Sequence, residues 1–117
     1  MTDKRATGDK HEAIALKYLQ SQGLALVDSN YHSRHGEIDL IMRDNETLVF
    51  VEVRYRKTNN YGGAVLSITP AKQRKIALTA LQYLQKHKKT ESPCRFDAVA
   101  ISEVETQWIK AAFDSPL

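Results

Sequence analysis

Residues 36–54 run Gly-Glu-Ile-Asp-Leu-Ile-Met-Arg-Asp-Asn-Glu-Thr-Leu-Val-Phe-Val-Glu-Val-Arg: two short β-like runs, Glu37 to Met42 and Thr47 to Arg54, joined by a polar turn containing Asp44 and Asn45. That pattern is an antiparallel hairpin and commits the chain to a sheet. Side chains alternate along a strand, so Glu37, Asp39 and Ile41 share one face of the first run, and Leu48, Phe50, Glu52 and Arg54 share one face of the second. Acids therefore sit among apolar residues in both. If Asp44-Asn45 is the whole loop, Glu37 opposes Glu52 with Asp39 diagonal to it; if the loop runs from Asp44 to Thr47, Asp39 opposes Glu52 directly. In either register the carboxylates converge, and like charges held a few ångströms apart call for a compensating cation: Arg54, a bound metal, or both. Strand acids are also commonly solvated outer-face residues, and spacing alone does not separate the two readings.

Upstream of the hairpin, a helix is expected from about Gly8 to Gln22, with Gly23 in the position that C-caps favour. Ala15, Leu16 and Leu19 form its buried stripe, and Glu12 lies on that stripe one turn earlier. A carboxylate there either points towards the sheet or complements the helix dipole. Leu24 to Asn30 reads as a first strand with apolar Leu24, Leu26 and Val27. It leads into a loop, Tyr31 to Gly36, whose His32 and His35 are better suited to solvent or phosphate contact than to metal ligation.

Downstream, Tyr55 to Gly63 is a polar loop with Arg56, Lys57, Tyr61 and two glycines, a composition that suits phosphates and unstacked bases but also an ordinary surface loop. Thr69 as N-cap and Pro70 at the first position start a second helix that runs to about Lys86. Ile76, Ala80, Leu81 and Leu84 are expected to cover the sheet. Lys72 lies one turn before Ile76, and a cation facing inward at a helix start calls for an anionic partner. Arg95 to Ile101 and Gln107 to Phe113 alternate as two further strands, with Trp108 in the core or at its rim. If the strands on either side of the second helix are parallel, that crossover is right-handed.

The chain of 117 residues suits one domain spanning 1–117, with 1–7 as a flexible tail. A formal net charge of +3 permits nucleic acid as a partner without requiring it. One cysteine, Cys94, excludes an internal disulfide and a zinc-finger pattern. No apolar run approaches the ~20 residues that span a bilayer. A cytoplasmic protein with no membrane partner is expected. The fold class is α/β, a mixed central sheet in αβββαββ order flanked by helices.

Glu12, Gly-Glu-Ile-Asp-Leu-Ile at 36–41, Phe-Val-Glu-Val-Arg at 50–54, Lys72 and Arg-Phe-Asp at 95–97 together resemble the YraN family, an uncharacterised bacterial family. That family is similar to archaeal Holliday junction resolvases and to the restriction-endonuclease-like PD-(D/E)XK nucleases. The resemblance covers about Gly8 to Ile101. It implies that Asp39 and Glu52 are metal-binding acids, that the Val53 carbonyl is the third ligand, and that Glu12 is the helix glutamate resolvases add to the site. The implied cofactor is Mg²⁺ or Mn²⁺, and the implied partner is DNA, with a homodimer where two strands are cut symmetrically. One position departs from the pattern: Arg54 stands where the superfamily has lysine. An arginine stays charged and clamps phosphate, so Arg54 and Lys72 divide the lysine's role.

Three functions remain open: a metal-dependent endonuclease acting on branched or structured DNA, which the resemblance implies, with Glu12, Asp39, Glu52, Arg54 and Lys72 as its catalytic set; a nucleic-acid-binding module of the same fold without chemistry; and a structural or protein-interaction domain in which the acids only pair with Arg54 and Lys72. Divalent-metal dependence separates the first two. Salt-sensitive DNA binding separates both from the third.

Overall fold

A computed structural model of the chain describes residues 4–57 and 67–117, with side chains from Lys10 onward. The elements are α1 (Lys4–Ser21), β1 (Ala25–Ser33), β2 (Gly36–Asp44), β3 (Thr47–Tyr55), α2 (Pro70–Lys86), β4 (Cys94–Ile101) and β5 (Thr106–Phe113). This is the αβββαββ order expected. The five strands form one mixed sheet in the order β1-β2-β3-β4-β5, antiparallel throughout except for the parallel pair β3/β4 that α2 connects. Among the described residues no helix is long and apolar enough to cross a membrane.

Local signals set both helix boundaries on the sheet side. At the end of α1, Gly23 adopts a φ of 97° that an L side chain resists. The amides of Gly23 and Leu24 donate back to the carbonyls of Gln20 and Leu19, a Schellman turn in which Leu24 and Leu19 share one core cluster. Thr69 caps α2, its hydroxyl accepting from the Lys72 amide at 3.2 Å, and Pro70 follows as the first helical residue. At its other end α1 begins at Lys4, four residues before Gly8, since nothing in Arg5-Ala6-Thr7 forbids helix and a glycine within one costs only ~1 kcal/mol. Residues 1–3 of the expected tail, and Tyr61, Gly62 and Gly63 of the basic loop, lie outside the described residues.

Two apolar layers enclose the sheet. Ile41, Leu48, Phe50, Phe96 and Ala98 pack against Ile76, Ala77, Ala80, Tyr83 and Leu84 of α2. On the opposite face Leu40, Met42, Val49, Val51, Val99 and Ile101 pack against Ala15 and Leu19 of α1. Burying each of the larger side chains among these, the Val, Leu, Ile, Met and Phe, contributes ~1.5–3 kcal/mol.

Two expectations are corrected, the loop at 31–36 and the burial of Leu81. The Tyr31–Gly36 stretch is not one loop: β1 runs on to Ser33 and pairs with β2 through Tyr31↔Ile38 and His32↔Glu37, leaving only Arg34-His35 as the turn. Leu24, just before the edge strand β1, is buried, while Leu26 and Val27 within that strand are 42% and 39% exposed. Leu81 is 39% exposed; Tyr83 takes its place in the core, its ring edge-on to Tyr31 and Phe50.

Candidate functional site

The hairpin ladder runs from Asp44↔Thr47 to Leu40↔Val51, around a turn in which Asn45 takes a left-handed φ of 55°. Extending this register sets Asp39 opposite Glu52, the second of the two registers considered above. The ladder itself stops one step short. Ile38 packs in the α2 layer and Leu40 in the α1 layer, although two residues apart they should share a face, so alternation breaks at Asp39. Beside it on β1, Asn30 has a φ of 51°. β2 thus turns away from β3 here, and the Asp39 carboxylate takes the vacated position: its Oδ2 accepts from the Val53 amide at 2.8 Å.

That divergence opens a cavity of about 270 Å³ lined by His11, Glu12, Glu37, Asp39, Glu52, Val53, Arg54, Tyr55 and Lys72. Glu52 and Arg54 stand on the α2 side of β3, in step with Leu48 and Phe50, and Lys72 reaches them from the first turn of α2. Tyr55, in step with Val51 and Val53, faces the α1 side and meets His11. All five side chains expected from the sequence, together with Val53, line this one cavity. His11, Glu37 and Tyr55 join them. His11, absent from the expectations, carried a signal of its own: it stands four residues before Ala15 and eight before Leu19, on the same stripe of α1 as these two residues buried against the sheet.

The charges are unevenly balanced. Glu52 is only 4% exposed, and its Oε2 lies 3.3 Å from Arg54 Nη2 and 3.8 Å from Lys72 Nζ. Burial, then the neighbouring Asp39 charge, push its carboxyl up to about 7 despite both cations. Burial also raises Asp39, against the Val53 amide, which favours its charged form. Arg54 Nε is buried and has no hydrogen-bond partner among the described residues. A guanidinium with one edge on a carboxylate and a donor left over is suited to a second oxyanion.

Two other sequence features lie elsewhere. Asp97 falls in step with Val99 on the α1 face, away from Glu52, and is fully buried. It accepts from Trp108 Nε1 at 2.9 Å, from the Ala111 amide at 2.9 Å and from Arg95 Nε at 3.0 Å, while Arg95 Nη2 reaches Asp44 at 2.9 Å. This network fastens β5 and the hairpin end to β4. His32 sits beside Glu37, Nδ1 to Oε2 3.3 Å, with both side chains largely exposed.

The sequence model described as the uncharacterised protein family UPF0102 matches residues 11–101, which include every residue of this cavity. The chain belongs to the UPF0102 family. Among similar UPF0102 members, the protein from Alkalilimnicola ehrlichii is 51% identical over 111 residues, covering 94% of this chain and 88% of the relative. UPF0102 protein NE0719 of Nitrosomonas europaea is 52% identical over 110 residues, 92% of each chain. UPF0102 protein YraN of Escherichia coli is 47% identical over 112 residues, 94% of this chain and 86% of the relative.

Proposed function

We propose that the chain is a metal-dependent nuclease that hydrolyses phosphodiesters in branched or structured DNA. The observation that carries this reading is the meeting of Asp39 and Glu52 in one cavity with a guanidinium and an ammonium. Burying two acids side by side costs stability, and a divalent ion brought in with a phosphodiester explains why the arrangement is kept.

The donor set fits such an ion. Among the described residues no three His, Cys, Asp or Glu side chains form a metal cluster, and Mg²⁺ does not ask for one: it takes one or two carboxylates and keeps several waters. Asp39, Glu52 and the Val53 carbonyl would hold it. When bound, Mg²⁺ or Mn²⁺ would polarise the phosphoryl group and make an attacking water more acidic. The chain's own groups do the rest. The Arg54 guanidinium and Lys72 Nζ bind non-bridging phosphate oxygens and stabilise the charge that grows on them. The Val53 amide fixes the Asp39 rotamer, and Glu12 reaches the cavity from α1 to orient water. The restriction-endonuclease-like fold is part of this proposal.

In the test, purified protein with Mg²⁺ or Mn²⁺ nicks a four-way junction or a flap, and Asp39→Ala or Glu52→Ala abolishes nicking while DNA binding persists. A second reading, a binding module without chemistry, draws on the contacts Arg54 and Lys72 already make to Glu52, which neutralise it without an ion. Binding unaffected by EDTA, with no substrate cut in any metal, would establish that second reading in place of the first.

A further inference from the structure

Two of the residues lining the cavity are rings that meet. His11 of α1 and Tyr55, the last residue of β3, stack with centroids 4.2 Å apart and planes 8° from parallel. The core does not require this contact: Tyr55 is 40% exposed and neither ring belongs to an apolar layer. A tyrosine on the end of a strand has little to hold its ring, yet here the imidazole fixes its plane, so a third flat ring meets a preorganised face.

We propose that the His11–Tyr55 pair is a stacking subsite for an unpaired nucleobase, placed beside the phosphodiester that Arg54 and Lys72 hold, so that the site selects DNA whose flanking nucleotide is unpaired. This rests on the phosphodiester reading above. The same cavity, about 270 Å³ in volume, holds the ring pair and both cations, so a base on the rings and a phosphate on the cations would be close neighbours. A base inside a duplex has both faces covered by its neighbours and reaches a protein ring only when unpaired or extruded. A flap, a bulge or a branch point supplies such a base without the cost of unstacking it. The placement also divides the labour. Cations on the α2 side take the phosphate, which carries no sequence information, and rings on the α1 side take any base, since every base has a π-face.

The test is fluorescence anisotropy in EDTA at low salt, so that cutting does not intervene, with three labelled DNAs: a blunt duplex, the duplex with a single-stranded flap, and that flap with its first unpaired nucleotide abasic. Stacking strengths of base on aromatic ring correspond to a preference of about 5- to 150-fold for the intact flap over the abasic one. Tyr55→Leu, which keeps bulk and loses the ring, should bring the ratio near one, and Tyr55→Phe should restore it, with melting curves confirming that each variant is folded. An intact-to-abasic ratio near one in the unmodified chain overturns the proposal whether or not the variants fold, and so does a ratio that survives Tyr55→Leu. Absence of binding to all three DNAs overturns both this and the phosphodiester reading. A stacking preference without cleavage in Mg²⁺ overturns hydrolysis alone and leaves the subsite standing.

Discussion

Replacing Glu52 with Gln should remove a pH dependence of stability that the folded chain carries in its site. In the native state burial and the adjacent Asp39 raise the Glu52 carboxyl from its ordinary 4.5 to about 7. Below about pH 4.5 folded and unfolded chains both hold this proton, and no stability is lost. Between about 4.5 and about 7 the unfolded chain releases it and the folded chain does not, so unfolding becomes easier as pH rises. Above about 7 the loss is complete. At 1.36 kcal/mol per pH unit of displacement the ceiling is about 3 kcal/mol. Urea denaturation of the metal-free chain at about pH 5 and about pH 8 measures it, read as a change in midpoint at constant slope. The difference between wild type and Glu52→Gln isolates this group from the histidines and other acids, and Gln keeps the shape while dropping the charge. It also relieves Asp39 of its neighbour, so the variant should gain most at alkaline pH. Parallel pH profiles for the two proteins would refute the claim that Glu52 is buried against another carboxylate.

Mg²⁺ at about a hundredfold its dissociation constant should stabilise wild type by about 2.7 kcal/mol and leave Asp39→Ala and Glu52→Ala unmoved, read as a shift in melting temperature. Lys72→Ala withdraws a cation from Glu52, so its carboxyl should rise further and the loss of stability should extend to higher pH in the same urea series. Asp97→Ala strands the Trp108 Nε1 and Ala111 amide donors and should cost about 3 kcal/mol in urea denaturation without changing Mg²⁺ affinity; a cost below about 1 kcal/mol would mean that the network is not a fastening. Thr69→Ala removes the cap of α2 and should cost about 1 kcal/mol by the same measurement.

The element order, the hairpin and both helix ends on the sheet side were legible in the sequence because each is a local matter. Period-two alternation with a polar turn makes a hairpin wherever it is placed; Thr69-Pro70 starts a helix by its own hydroxyl and its own missing amide, and Gly23 ends one by tolerating a φ that other residues resist. The same periodicity put Glu52 and Arg54 on one face of β3, and the cation at the start of α2 was legible as needing an acid. Leu81 shows where local pattern fails. Apolarity says that a residue benefits from burial, while packing between segments decides which residues receive it, here Tyr83 in place of Leu81.

By itself, then, the sequence determined which side chains each segment could present and in what rhythm, since φ/ψ preference, side-chain period and capping act within a few residues. Only the tertiary structure decided that β2 leaves β3 at Asp39, that residues from both faces of the sheet meet in the gap, that Asp97 is a fastening on the far face, and that His11 finds Tyr55. Those outcomes depend on register and on packing between segments tens of residues apart, where the free energy belongs to the pair and cannot be assigned to either stretch alone.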